Sequence, residues 1–427
     1  MTSPGPGRRP GPVRSVEGMT ESSTRSSERI AAPTAASGRL GALDGLRGVA
    51  ALVVVLHHLM EVARPHLDTG ASAAPGGLWW WLNDTPLALF TAGSEAVVLF
   101  FVLSGLVVAL PALRSRSFSW AGFLASRLVR IMLPVWAALV LASVLLVAVP
   151  RDTSLFPAGW LVDNNAATLT AGTLIDEATL SRYSYDIDNV LWSLRWEMLF
   201  AVLLPLFIVA ARAAARFWWV IGPVVLGIAV TGFAVGDGTL SYLPAFLLGT
   251  LVAVLLPRLT AWAAERNTAS WFRIGWPLLL AAALLGFVAS ELARPLVADA
   301  TIVEALRGVS VASSVAVIVL AIVVPAVREA LTRPLFAWLG RISFSLYLVH
   351  VPIIVALAYL LGPDDWKQAA LLAIPVSFVV AHLFWRFVER PSHRAARALN
   401  RALASRSGSR DQTAVTTPSM PVRAGSA

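Results

Sequence analysis

The chain has 427 residues, 57% of them hydrophobic and only 14% charged, with a mean hydropathy of +0.71; a soluble protein is closer to a quarter charged, so lipid must be its solvent. The formal net charge of +9 is almost all arginine, since Lys367 is the lone lysine; the arginines are spread over tails and short connections, which suits a membrane protein's orientation and not nucleic acid. The absence of cysteine excludes disulfides, thiolate nucleophiles and cysteine metal sites.

Residues 1–40 are rich in Ser, Pro, Gly, Ala and Arg and lack apolar periodicity, which predicts a disordered cytoplasmic tail. No stretch of signal-peptide type precedes Leu43, so no cleavage is expected. The run Leu43–Leu59, LDGLRGVAALVVVLHHL, reads as an apolar helix with Arg47 near its start and His57 and His58 deep inside it. At about 100° per residue, His58 falls within about 20° of the face of Arg47 and roughly 16 Å along the axis. His57 lies about 80° off that face, so helical phase favours His58.

Further spans recur at 90–112, 129–149, 190–211, 216–234, 239–256, 275–292, 304–326, 341–361 and 368–388, each near the roughly 20 residues that cross a bilayer. With 46–64 they make ten. The connections alternate in charge. One set carries Arg114, Arg116, Arg127 and Arg130, then Arg212 and Arg216, then Arg258, Arg266 and Arg273, then Arg328, Arg333 and Arg341. The other holds Asp68, Asp84, Asp152, Asp163, Asp176, Asp188, Asp237, Asp299, Asp364 and Asp365, with Arg151, Arg182 and Arg294 as exceptions. The positive-inside rule places the first set and both tails in the cytoplasm. The expectation is an all-α, polytopic membrane helical bundle of about ten transmembrane helices over 41–391, with both termini cytoplasmic. Residues 392–427 are expected to be a second disordered cytoplasmic tail. The loop of about 150–189 is expected to form a small cap with Trp160 and Tyr183 packing. A multi-pass protein of the cell (plasma) membrane follows; oligomeric state is left open.

Ionisable groups inside a bilayer are costly and usually face the bundle interior. Here they cluster: His57, His58 and Glu61 on the first span, Arg195 and Glu197 on the fourth, His350 on the ninth, His382 and Arg386 on the tenth. Counting from the outer ends of their spans, His58 and Glu197 both fall roughly 10 Å deep and can meet. A carboxylate beside an imidazole fixes its tautomer and favours proton uptake, as a general base needs; the same pair can also serve only to hold two helices together. Ser193, four residues before Glu197, can orient it or bond back to its own helix. Arg127 and Arg130, three apart at a cytoplasmic helix end, suit a polyphosphate, although topology and lipid phosphates explain them equally. Ser343, Tyr347 and His350 share a face in the Gly340–His350 segment, as a site or as a polar helix–helix contact. Glu389-Arg390-Pro391 closes the tenth span as a proline-stopped end. No metal-ligand spacing, glycine-rich phosphate loop or G-x-S-x-G elbow is present.

Several segments together resemble the acyltransferase 3 family of integral-membrane acyltransferases. They are LDGLRGVAALVVVLHH at 43–58, LFFVLSGLVV at 99–108, Arg127…Arg130…Pro134, WSLRWEMLF at 192–200, YLPAFLLGT at 242–250, GRISFSLYLVHVPI at 340–353 and FVERP at 387–391. The resemblance implies transfer of an acyl group, often acetyl, from cytoplasmic acyl-CoA to a hydroxyl of a sugar, cell-surface polysaccharide or macrolide-type metabolite. It implies catalytic roles for Arg47, His58 and Glu197, donor binding at Arg127 and Arg130, and close packing at Ser104 and Gly105. Ser193, Tyr347 and His350 are expected to line the substrate. The family often has a second acid after the one matched by Glu197; here Met198 stands there, and a two-carboxylate relay is not supported. The chain resembles the stand-alone type, without a C-terminal esterase-like domain. Expected partners are the bilayer, the acyl-CoA donor and a small-molecule or polysaccharide acceptor, with no metal and no nucleic acid. A proton-coupled transporter of a small polar solute is the rival reading; the inverted repeats and glycine-broken helix pairs it requires are not evident.

Overall fold

The computed structural model describes residues 1–3, 5, 35–115, 118–181 and 185–415. Ten helices in it are long and apolar enough to cross a membrane, and no strand occurs among the described residues. In chain order the spanning helices are α1 (Ala35–Leu67), α2 (Gly93–Arg114), α3 (Trp120–Ala148), α4 (Leu191–Ala214), α5 (Trp218–Val235), α6 (Gly238–Arg266), α7 (Ser270–Phe287), α8 (Val309–Val323, which spans together with the helix Ala300–Arg307 ahead of it), α9 (Pro334–Leu361) and α10 (Trp366–Phe384). A further helix, α11 (Arg390–Val415), follows α10 through a π turn, Trp385–Glu389.

The helices divide into core and rim. The most apolar stretch of α9 is 72% buried, whereas that of α7 is 17% buried. α7 turns Ile274, Leu278 and Leu279 outward, an apolar surface that only lipid can cover. Of the polar residues singled out above, those that build the site lie on α1, α2, α3, α4 and α9, while His382 lies on α10 and Arg386 in the π turn after it.

Close approach is bought with small residues, as lipid-solvated helices require. A Cβ on Gly48 of α1 would lie 2.5 Å from the backbone nitrogen of Gly340 on α9, and one on Gly340 would strike the carbonyl of Asp44. Gly105 of α2 and Gly249 of α6 meet backbone in the same way, and Thr250 Oγ1 donates to Gly105 O at 3.3 Å.

The C-terminal expectation needs correction. The helix does not stop at Pro391, and residues 392–403 are not a structureless tail. Proline lacks a donor and crowds the carbonyl four residues back; the wider π turn just before Pro391 absorbs that crowding. α11 then packs along α3, burying Ser392 and Ala396, and Asn400 sits against Gly122. At the other end, residues 35–40 already belong to α1. The rest of the first expected tail except residues 1–3 and 5, the segment 416–427, and Tyr183 of the expected cap lie outside the described residues.

Candidate active site

At the arginine-rich end of the bundle a cavity of about 110 Å³ is lined by Arg47 of α1, Ser104 of α2, Arg127 and Arg130 of α3, Ser193 and Glu197 of α4, and Ser343 and Tyr347 of α9. Phe100, Phe101 and Phe344 supply much of the apolar wall. Three guanidinium groups therefore face one carboxylate. Glu197 is ion-paired with Arg127 and accepts a hydrogen bond from Ser104 Oγ at 3.0 Å. Arg47 has a loose contact with the exposed Asp44 at 3.7 Å. The buried Nε of Arg127 has no partner. Glu389, outside the lining, also acts on Arg47 and Arg130, but the lining itself carries more positive than negative charge, which suits a polyphosphate.

Farther along α1 and α9 the two histidines meet: His350 Nε2 is 3.1 Å from His58 Nδ1. Their tautomers follow from the carbonyls around them. His350 Nδ1 lies 2.9 Å from Leu346 O, and a carbonyl can only accept, so Nδ1 carries the hydrogen and Nε2 is an acceptor. His58 Nδ1 must then be the donor, shared between His350 Nε2 and Val54 O at 2.9 Å. Nε2 of His58 is left with its lone pair free, as a base requires. His57 has a different task. Its Nδ1 is 2.9 Å from Thr91 O, tying α1 to the turn ahead of α2, and its ring packs on Gly93.

The structure does not bring His58 and Glu197 together. Glu197 belongs to the arginine cluster and His58 to His350. The reason is the depth of α4. Ile187, Asp188 and Val190, just ahead of it, are already buried, so the helix starts inside the protein and Glu197 reaches farther toward the arginines. Ser193 does not orient Glu197 either. Its hydroxyl donates to Val190 O at 3.1 Å or bonds Tyr347 Oη at 2.7 Å. Tyr347 Oη also lies 3.1 Å from Val190 O, and its ring is 6.0 Å from that of His350. Tyr347 lines the cavity while His58 and His350 do not; the tyrosine is the partition between them.

Two contributors were missed in the sequence. Ser104, read only as a packing position, fixes Glu197. Ser345 donates to the buried Glu389 at 2.6 Å, so the FVERP segment turns a carboxylate inward. Neither has a local signal, because each partner lies on a helix distant in sequence.

A family model described as an acyltransferase domain, acyltransferase 3, matches residues 40–386. No curated protein and no solved structure matches the chain. The match spans most of the chain, which therefore belongs to the acyltransferase 3 family.

Proposed function

We propose that this membrane acyltransferase moves an acyl group, acetyl or another short one, from acyl-CoA to a hydroxyl of a sugar, surface polysaccharide or macrolide-type metabolite. The arginine-rich end, with both termini, faces the cytoplasm, and the protein resides in the plasma membrane. The observation that carries the reading is the cavity lined by three arginines and backed, beyond Tyr347, by an imidazole whose Nε2 is unprotonated.

In this reading Arg127, Arg130 and Arg47 hold the donor's phosphates. Glu197 and Ser104 fix the Arg127 guanidinium, so little ordering is left to be done when the phosphate arrives. The thioester arm extends along α1 over the roughly 16 Å rise from Arg47 to His58, which requires the Tyr347 ring to give way. Nε2 of His58 takes the proton of the acceptor hydroxyl as the oxygen attacks the thioester carbonyl carbon. The new C–O bond forms, the C–S bond breaks, and the thiolate leaves with that proton as the CoA thiol. His350 holds His58 in the tautomer that leaves Nε2 free. Purified protein in detergent should consume acetyl-CoA, and His58→Ala should abolish this while the chain stays folded and membrane-bound. Full activity in His58→Ala ends the proposal.

A further inference from the structure

Arg195 of α4 takes no part in the arginine cavity. It stands two residues before Glu197, about 200° around the helix, and so on the other side of the α3–α4 pair. There it lines a groove of about 460 Å³ with Leu128, Met132, Leu133 and Trp136 of α3 and Met198 of α4. Residues 178–180 close one end of the groove, tied to α3 by Trp136 Nε1, which donates to Ala178 O at 2.9 Å. Leu180 there holds φ at +53°, a strained value for a leucine. Leu128, Leu133 and Trp136 are exposed, so the groove opens sideways to lipid and not into the bundle.

Arg195 is the one charged residue in that lining. A guanidinium in an apolar setting requires a counter-charge, and among the described residues the chain does not supply it. Arg195 has a cation–π contact with the neighbouring Trp196 ring at 5.2 Å. The carboxylates around it are committed elsewhere. Glu197 is paired with Arg127 and Ser104. Glu177 accepts the backbone N–H groups of Ile187 and Asp188, and Asp176 accepts from Ser181 Oγ at 3.0 Å. An outside partner must therefore bring negative charge for Arg195 and apolar chain for the groove. An acidic phospholipid has both. An arginine in lipid meets phosphate by snorkelling and by local thinning of the bilayer.

We propose that this groove binds one acidic phospholipid, whose phosphate pairs with Arg195 and whose acyl chain lies along α3. The groove and the arginine cavity share no lining residue, yet both are built on the same turns of α3 and α4. The bound lipid thus braces from outside the helix pair that carries the Arg127–Glu197 ion pair.

The test reconstitutes purified full-length protein in phosphatidylcholine nanodiscs with rising fractions of phosphatidylglycerol. It reads the melting temperature and the lipid retained in native mass spectra. Phosphatidylglycerol should raise the wild-type melting temperature saturably and remain bound. Arg195→Gln should require at least fivefold more of it for half the shift and should lose the retained molecule. Leu133→Trp, which fills the groove and keeps the charge, should do the same. Arg273→Gln, at an exposed arginine near the start of α7, should behave as wild type. An unchanged shift in Arg195→Gln overturns the site, and an equal loss in Arg273→Gln reduces the effect to general surface charge. Wild-type retention in Leu133→Trp overturns the groove as the seat of the lipid. The same shift from inorganic phosphate in phosphatidylcholine alone overturns the lipid assignment. Both readouts are independent of acyl transfer, so this proposal and the transfer reading fail separately.

Discussion

His58 and His350 meet at 3.1 Å ten residues beyond the place where Gly48 and Gly340 bring their helices into backbone contact, 48 to 58 on one helix and 340 to 350 on the other. α1 and α9 run in the same direction, so equal steps of about 15 Å from one contact set the next. The glycine contact acts as the register mark for the histidine pair. Gly340→Ala would place a methyl against the Asp44 carbonyl and must push the helices apart. Acyl transfer should fall at least tenfold while the protein still inserts. Gly275→Ala, where a Cβ meets nothing, should leave activity unchanged. Assaying both variants in the same membranes checks this; wild-type activity in Gly340→Ala would sink the register argument.

Arg127 and Glu197 should behave as a unit in stability and as separate parts in activity. Their side chains are 11% and 21% exposed, so removing one strands the other in a poorly solvated place. Arg127→Ala is expected to cost about 3 kcal/mol, the low end for breaking a buried pair. Arg127→Ala with Glu197→Ala should recover part of that loss, because no charge is left alone. The double variant should still fail to bind CoA tightly. Thermal unfolding in detergent together with CoA binding gives the cycle; simple additivity of the two stability losses would contradict the pairing.

His57 and His58 are neighbours with separable roles. His57→Ala loses a hydrogen bond to Thr91 O, worth about 1 kcal/mol, and should lower thermal stability while retaining most transfer activity. His58→Ala should abolish transfer, at a stability cost at least as large because the buried His350 Nε2 loses its donor. Loss of transfer in both, at equal stability, would show that the tautomer assignment has picked the wrong imidazole.

The spans and their number are legible because apolar length is a property of a single segment. Helical phase also separated His58 from His57, and the spacing of Ser343, Tyr347 and His350 put them on one face. Pairings between helices were not legible. Counting from a membrane surface puts Glu197 beside His58; the buried Ile187, Asp188 and Val190 set α4 deeper, and only packing reveals that. Ser104 and Ser345 act on carboxylates from other helices, and a serine in an apolar span carries no mark of its partner. Pro391 misled as a stop signal, since a proline ends a helix only where the preceding turn cannot widen.

The approach to α4 carries two buried carboxyl groups, Glu177 and Asp188. Glu177 is fully buried, and its carboxylate accepts the backbone N–H groups of Ile187 at 2.7 Å and Asp188 at 2.9 Å. Asp188 is also fully buried, and its carboxylate has no well-formed hydrogen bond, with the backbone N–H of Val190 its one weak neighbour. Burial, with Glu177 close by, holds the Asp188 carboxyl well above its usual 3.8. In the unfolded chain it loses its proton near the usual value. Between that value and the raised folded one, the folded state keeps a proton that the unfolded state has released. Stability therefore falls as pH rises from about 4 through the folded value, by up to about 1.4 kcal/mol per pH unit. Asp188→Asn mimics the neutral acid at every pH and removes this slope. Its melting temperature should match wild type near pH 4 and exceed it increasingly as pH rises toward the folded value. The segment that would relax is the one whose Val190 carbonyl faces the Tyr347 and Ser193 hydroxyls, so wild-type transfer should lose its partition in the same pH window. A melting-temperature difference that stays constant from pH 4 to pH 8 would mean that Asp188 is charged and paired in the folded protein.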